Sequence, residues 1–217
     1  MPGREYIDDL KRDYRVKRPL IEKRLREFQK VFERGDHAIF EELCYCILTA
    51  GSSAKMGMRT VAALRDLLIT GSLQELQQRA NENRVRFWRV RPAYIVQTRA
   101  FLSDICGLKL RSLIGQFDCR QERRDFFAKS NAIKGLGYKE ASHFLRNIGF
   151  SGYAILDKHI LNSLREMGVI SKRMRPSTRA SYLAIENRLE RFAAKVGIDM
   201  DHLDLLLWSR KAGEILK

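Results

Sequence analysis

The chain has 217 residues, 45% hydrophobic and 9% aromatic, so it can bury a core as one domain or two small lobes, and wholesale disorder is excluded. Its 41 Lys and Arg against 26 Asp and Glu leave a formal charge of +15, which favours a phosphate-rich partner such as nucleic acid; a basic, highly soluble protein without such a partner is the alternative. No segment approaches the ~18 apolar residues that cross a bilayer and no apolar stretch follows the first six residues, so we expect a soluble, cytoplasmic protein.

Helical periodicity begins near the N-terminus. Ile21, Leu25, Phe28 and Phe32 fall on one helix face, which Gly35 and Asp36 end. A second apolar face runs over 39–48 and is broken at Gly51. Similar patterns predict helices over about 54–70, 73–82, 91–106, 120–133, 138–148, 157–167, 177–196 and 200–212.

No segment alternates apolar and polar residues between hairpin turns, so we predict an all-α fold. Basic residues cluster at 17–18, 84–91 and 172–179. These clusters could line one face of a cleft, although each taken singly is typical of a solvated surface.

Cysteine and histidine usage indicates no metal site. The four cysteines form no CxxC pair, and Cys44 and Cys46 lie in an apolar helical pattern, so we predict reduced core thiols rather than disulfides or zinc ligands. His143 and His159 have no metal-ligand partner at a recognisable spacing, and structural roles are expected for both. We expect neither a metal nor another cofactor.

The segment 131–145 predicts a phosphate-binding turn. A helix ending near Ile133 meets Gly135-Leu136-Gly137, and a second helix begins near Tyr138. The glycines permit positive φ and close backbone approach, and the free N–H groups at the helix start can hold a phosphate. A plain helix–turn–helix corner is the alternative. The whole string resembles a helix-hairpin-helix motif, which implies that Gly135 and Gly137 contact a DNA backbone.

Two residues near this turn are candidates for chemistry. Lys139 falls in the first turn of the second helix, where the positive end of the helix disfavours a cation and favours the neutral amine that can attack an electrophilic carbon. Asp157 follows an apolar run and precedes a helical pattern, which is typical of a helix N-cap. A surface lysine touching a phosphate and a simple cap are the alternative readings. A rigid capping carboxylate could also stabilise developing positive charge or steer a proton.

The strings 135–141 and 154–160 resemble the helix-hairpin-helix DNA glycosylases that use a lysine and an aspartate. In that superfamily the lysine attacks C1′ of the damaged nucleoside, and the resulting imine permits β-elimination of the 3′ phosphate. The resemblance therefore implies Lys139 as the nucleophile and Asp157 as its assisting carboxylate. Endonuclease III, of the same superfamily, carries a C-terminal four-cysteine iron–sulfur loop. No cysteine follows Cys119 here, which excludes that cluster and argues against that branch.

A closer resemblance covers most of the chain. The segments 41–50 and 138–147, and the ending with Leu203-Asp204-Leu205, Trp208 and Lys217, resemble the archaeal-type 8-oxoguanine DNA glycosylases. Gly51 departs from the pattern, because asparagine is expected there. If that asparagine fills the gap left by a flipped nucleotide, the contacts to the opposite base differ in this chain.

The resemblance also implies three base-binding residues, Phe87, Trp208 and Lys217. Asp204, one helical turn before Trp208, is a further candidate for the base pocket. Phe87 lies among arginines, a pattern that suits nucleic acid, although buried aromatics flanked by surface cations also fit it. Trp208 could equally belong to a core. The carboxylate or backbone of Lys217 would accept the N7–H of 8-oxoguanine, a donor that guanine lacks.

These observations predict a bifunctional base-excision repair enzyme, an 8-oxoguanine glycosylase and abasic-site lyase, acting as a monomer on double-stranded DNA. The resemblance implies two helical lobes with the active site in the cleft between them: 38–150, ending in the hairpin, and 1–37 with 151–217. A glycosylase for another oxidised base and a non-catalytic helix-hairpin-helix DNA-binding module are the alternatives.

Overall fold

The computed structural model describes residues 4–215, which form α-helices, one 3-10 turn and no β-strand. The all-α prediction is confirmed. The helices are α1 (Arg4–Glu33), α2 (Asp36–Thr49), α3 (Ala54–Leu64), α4 (Leu73–Glu82), α5 (Arg91–Cys106), α6 (Leu110–Gly115), α7 (Arg120–Lys129), α8 (Tyr138–Asn147), α9 (Lys158–Glu166), α10 (Arg179–Val196) and α11 (Met200–Ala212). None of these helices is long and apolar enough to cross a membrane.

The chain divides into two compact units. One is Phe28–Gly149, which we call the hairpin unit; the other combines the chain up to Glu27 with the chain from Phe150 onward, and we call it the terminal unit. The lobe boundaries and the cleft that the resemblance implies stay a prediction.

Helix α2 forms the centre of the hairpin unit and packs against α3, α5, α6 and α8. Its residues from Glu42 to Thr49 are all buried, which explains their nearly continuous apolar sequence. The one charge among them, Glu42, accepts a hydrogen bond from Asn147 Nδ2 of α8 at 2.7 Å. A buried carboxylate needs such a partner, and this one ties α8 to the core helix.

In the terminal unit, α11 packs against both α9 and α10. Leu203, Leu205, Leu206 and Leu207 of α11 are buried. The residues between α8 and α9 run without helix, and those from Tyr153 to Leu156 are buried in the same unit. This segment leads directly to Asp157.

The helices differ from the predictions at three places. The helix predicted over 54–70 ends at Leu64 and is followed by the 3-10 turn Arg65–Leu67. The helix predicted over 120–133 ends at Lys129, because Ser130 begins a turn: its Oγ accepts from Ala132 N at 3.3 Å and its carbonyl from Ile133 N at 3.2 Å. Helix α6 was missed, since its six residues give too short an apolar pattern to recognise.

Candidate active site

The turn between α7 and α8 requires glycine at position 135. Gly135 has φ +81°, and a Cβ added there would lie 2.8 Å from Tyr94 Cδ2 and 3.1 Å from Arg91 Nη1. A side chain would therefore meet both a strained backbone and a closely packed α5. The close approach of the turn to α5 depends on this glycine.

Gly137 differs from Gly135. It lies at the N-cap of α8 with φ −100°, is exposed, and a Cβ there would meet only Glu140 Oε2, at 3.5 Å. Its N–H donates to Glu140 Oε2 at 3.3 Å, which forms half of a capping box. Gly137 is therefore not needed for packing within the protein, and its lack of a side chain leaves the outer face of the turn open.

Several backbone N–H groups of this turn have no acceptor in the described part of the chain. Within residues 4–215, those of Gly135, Leu136, Lys139 and Glu140 donate to no protein group. They cluster at the positive end of α8, where backbone donors and the helix dipole favour an anion. The turn thus has the donors that a phosphate oxygen needs.

Lys139 occupies the first turn of α8, as predicted from the sequence. Its side chain is 31% exposed, and its Nζ donates to Glu140 Oε1 at 3.3 Å. No pattern in the sequence indicated this ion pair. Glu140 therefore contacts both the nucleophile candidate through Oε1 and the N-cap amide through Oε2.

Phe87 lies in the hairpin unit beside Gly51. It is 45% exposed and has φ +63°, a left-handed conformation that is rare for a bulky residue. The guanidinium of Arg86 lies 4.7 Å from the centre of its ring, and Arg86 Nη1 donates to the Gly51 carbonyl at 2.9 Å. The loop thus exposes an aromatic ring with a cation beside it, although the backbone of Phe87 is strained. Strained backbone conformations of this kind cluster at functional sites.

Gly51 itself has φ +70°. A Cβ there would meet only Phe87 Cε2, at 3.9 Å. Asparagine, the residue expected here, tolerates the left-handed region better than most side chains. The backbone at this position therefore suits both residues, and the departure changes the available hydrogen-bonding groups rather than the chain path.

Arg91, which was not a candidate site residue from the sequence, links these parts of the hairpin unit. Its Nη2 donates to the Ala50 carbonyl at 2.9 Å, and its guanidinium lies 5.6 Å from the Phe87 ring centre. Its Nη1 is one of the atoms that a side chain at Gly135 would meet. Only its place in the basic cluster 84–91 marked it in the sequence.

Asp157 caps α9, and this local prediction is confirmed. Its Oδ1 accepts from the backbone N–H groups of His159 and Ile160, both at 2.8 Å. Its Oδ2 accepts no hydrogen bond from residues 4–215, and the residue is half-buried. One carboxylate oxygen thus fixes the group while the other stays available.

The terminal unit also contains Asp204 and Trp208. Asp204 is 2% exposed and its Oδ1 accepts from Ile155 N at 3.2 Å, two residues before Asp157. Trp208 is half-buried, one helical turn further along α11, among fully buried neighbours. The structure thus associates Asp157, Asp204 and α11 in one unit. Lys217 lies outside the described residues, and the base contacts of all these residues stay predictions.

The sequence predicted reduced thiols at the four cysteines and a structural role for His143. All four cysteines are free, and burial raises the pKa of the Cys44 thiol far above its ordinary value. His143 is buried with its ring edge against Tyr45. Among the described residues, no group of three or more His, Cys, Asp or Glu side chains could hold a metal ion.

Comparison with known proteins identifies the family. A family model described as 8-oxoguanine DNA glycosylase matches residues 21–198. A Korarchaeum cryptofilum protein named 8-oxoguanine DNA glycosylase/AP lyase is 41% identical over 216 residues, covering 97% of this chain and 99% of the relative.

Two solved structures are also similar over nearly the whole chain. The Methanocaldococcus jannaschii 8-oxoguanine glycosylase/lyase in complex with 15mer DNA containing 8-oxoguanine matches with a TM-score of 0.86 and 34% identity, covering 96% of this chain and 99% of that one. The 8-oxoguanine DNA glycosylase of Thermotoga maritima matches with a TM-score of 0.87 and 33% identity, covering 98% and 99%. The chain therefore belongs to the 8-oxoguanine DNA glycosylase family.

Proposed function

We propose that this protein removes 8-oxoguanine from duplex DNA and then cleaves the strand at the resulting abasic site. The observation that carries the proposal is the position of Lys139 in the first turn of α8, beside hairpin backbone donors that bond to no group of residues 4–215. A phosphate held by those donors would bring the sugar of a bound nucleotide near the lysine. Family membership supports both activities, because the relatives are named glycosylase and lyase.

The proposed reaction uses the side-chain amine of Lys139 as its nucleophile. Neutral Lys139 Nζ forms a bond to C1′ while the N-glycosidic bond breaks, and its electron pair leaves with the base, which takes up a proton. Nζ then loses a proton, and its electron pair forms the second C–N bond while the C1′–O4′ bond breaks and O4′ takes up a proton. The product is a ring-opened sugar with a protonated imine between Nζ and C1′. Loss of a C2′ proton then allows the 3′ phosphate to leave by β-elimination.

Asp157 assists this reaction through Oδ2. With Oδ1 occupied by two backbone amides, Oδ2 is free to stabilise the positive charge that develops at the sugar or to accept a proton from Nζ. Because the cap fixes the carboxylate before DNA binds, little reorganisation is needed during the reaction.

The base must leave the stack for C1′ to be reached, and we assign Phe87 and Trp208 to its two faces. The exposure of Phe87 in a strained loop supports this assignment. The resemblance adds Lys217 to the base pocket. Asp204, one helical turn before Trp208, supports this pocket through its bond to Ile155 N, since its burial leaves it no contact with the base itself. Gly135 and Gly137 contact the DNA backbone. The enzyme acts as a monomer, without cofactor, in the cytoplasm, where it has access to the genomic DNA.

Borohydride trapping on a panel of duplexes tests the proposal. Each duplex carries one lesion: 8-oxoguanine, an oxidised pyrimidine, an abasic site or none. We expect a covalent complex and strand cleavage with 8-oxoguanine, both lost in Lys139→Gln. Lys134→Gln is the matched control, since Lys134 lies in the same turn and its side chain makes no hydrogen bond or ion pair with the described residues.

Each part of the proposal has a contrary outcome. Base release without any trapped complex would make the enzyme monofunctional. A strong preference for the oxidised pyrimidine would show that this base, rather than 8-oxoguanine, is the substrate. Equal binding to all duplexes with no base release would leave a helix-hairpin-helix module that only holds DNA.

A further inference from the structure

The segment that leads into Asp157 is buried without the backbone partners of a helix or sheet. Residues 152–156 belong to no helix, and no strand pairs with them among the residues described. Tyr153, Ala154, Ile155 and Leu156 are all buried. Buried N–H and C=O groups require hydrogen-bond partners, so this segment must find them elsewhere.

Four side chains from α10 and α11 supply these partners, and we call them the backbone clamp: Tyr182 and Glu186 on α10, Asp201 and Asp204 on α11. The carboxylates accept from three amides of the segment, Asp201 from Gly152 N at 3.1 Å, Glu186 from Ala154 N at 3.0 Å and Asp204 from Ile155 N at 3.2 Å. The Tyr182 hydroxyl donates to the Ala154 carbonyl at 2.6 Å and accepts from Leu156 N at 3.4 Å.

The clamp ends where Asp157 begins. Asp157 N donates to the Ile155 carbonyl at 2.7 Å, and its side chain caps α9. The clamp thus fixes the backbone that precedes Asp157, and the N-cap bonds to α9 fix its side chain. Any shift of the clamped segment would move Oδ2, the oxygen that the cap leaves unoccupied.

We propose that Tyr182, Glu186 and Asp204 are positioning residues that fix the Asp157 carboxylate through the backbone of residues 154–156. This inference rests on the proposed catalytic role of Asp157. It gives Asp204 a function that requires no contact with the damaged base, consistent with its burial at 2% exposure and its bond to Ile155 N. Displacement of a reacting group by about 1 Å can cost about a hundredfold in rate, so the clamp matters for turnover.

A double-mutant cycle between Tyr182→Phe and Asp157→Asn tests the proposal. Tyr182→Phe removes only the hydroxyl, so the single-turnover rate of 8-oxoguanine excision should fall about tenfold, while the Kd for lesion DNA should change less than about twofold. In the Asp157→Asn background, Tyr182→Phe should have no further effect, because it acts through that carboxylate. Tyr14→Phe is the matched control: it removes a hydroxyl bonded to His202 in the same unit, outside the clamp.

Asp204 provides a second, independent measurement. Asp204→Asn keeps an acceptor of the same size for Ile155 N and should retain most of the rate, whereas Asp204→Ala should slow excision without loss of selectivity for 8-oxoguanine over guanine. A base-contacting Asp204 would instead lose that selectivity in both variants. Amide exchange at Ile155 and Leu156 should accelerate in Tyr182→Phe if the clamp holds them.

The outcomes separate the two proposals. If Asp157→Asn slows excision but Tyr182→Phe does not, or if the two effects multiply in the double variant, the clamp proposal is wrong while Asp157 keeps its role. If Asp157→Asn is as active as the unchanged protein, the catalytic role of Asp157 fails, and the positioning role fails with it.

Discussion

Alanine substitution should affect the two hairpin glycines differently. Gly135→Ala should lower the stability of the fold, whereas Gly137→Ala should weaken DNA binding. At Gly135, a Cβ in the left-handed region costs about 1–2 kcal/mol. The atoms 2.8 and 3.1 Å from that Cβ must also move, which adds about 1–3 kcal/mol. The reduced entropy of the unfolded chain returns about 0.4–1 kcal/mol, so we expect a net loss of roughly 2–4 kcal/mol.

At Gly137 the same substitution should leave stability within about 1 kcal/mol, because φ is −100° and the Cβ would lie at an ordinary 3.5 Å from Glu140. The new methyl group would, however, occupy the open face of the turn where a phosphate approaches. Loss of one charge-assisted hydrogen bond should weaken binding to a lesion duplex by about tenfold or more.

Thermal unfolding and fluorescence anisotropy measure these two effects. For a chain of this length, the stability loss in Gly135→Ala corresponds to a fall in Tm of roughly 5–15 °C. Anisotropy is read in a Lys139→Gln background so that the DNA is not consumed. An unchanged Tm in Gly135→Ala would refute the close approach of the turn to α5. Unchanged DNA affinity in Gly137→Ala would refute phosphate binding at this turn.

Four further predictions concern single residues. Asp157→Asn keeps an N-cap acceptor, so the Tm should stay unchanged while excision slows at least tenfold. Asp157→Ala should in addition lower the free energy of unfolding, measured in urea, by about 0.5–2 kcal/mol. Equal excision rates for Asp157→Asn and the unchanged protein would show that Asp157 serves only as a helix cap. Gly51→Asn should lower the free energy of unfolding by less than about 1 kcal/mol, since φ +70° suits asparagine. It should change the ratio of the excision rates of 8-oxoguanine opposite cytosine and opposite adenine. An unchanged ratio would show that position 51 does not contact the opposite base. Glu140→Gln removes the charge that pairs with Lys139 but keeps an acceptor for the N-cap amide, so the rate of borohydride trapping should change while the Tm changes little. An unchanged trapping rate would show that this ion pair does not affect Lys139. Burial raises the pKa of the Cys44 thiol, so Cys44 should resist alkylation at pH 8 in the folded protein and react on unfolding, as mass spectrometry can show.

Features with a local physical cause were predictable from the sequence. The helices 73–82, 91–106 and 200–212 match α4, α5 and α11, because their apolar spacing and flanking residues act within a few turns. The cap at Asp157 and the glycine turn before α8 are equally local. The end of α7 was predicted wrongly because the serine side chain at 130 competes for backbone amides, which apolar periodicity does not report.

Non-local contacts were not predictable in this way. The sequence drew attention to Asp204 only by its spacing from Trp208, and nothing in its neighbourhood indicated a bond to Ile155 on another segment. Likewise, no periodicity relates Arg86 to the Gly51 carbonyl, 35 residues earlier. Such contacts arise when packed helices bring distant backbone groups within hydrogen-bond distance, and burial then requires a partner for each.

The sequence by itself therefore determined an all-helical protein with a nucleophile candidate at one helix start and a capping carboxylate at another. Both assignments depend on backbone donors within three residues, which any helix N-terminus provides. Only the tertiary structure decided how Asp157 is supported, since the amides before it depend on side chains from α10 and α11. The physical reason is that a buried, extended backbone has no partner of its own, and which distant side chain meets it depends on how the helices pack.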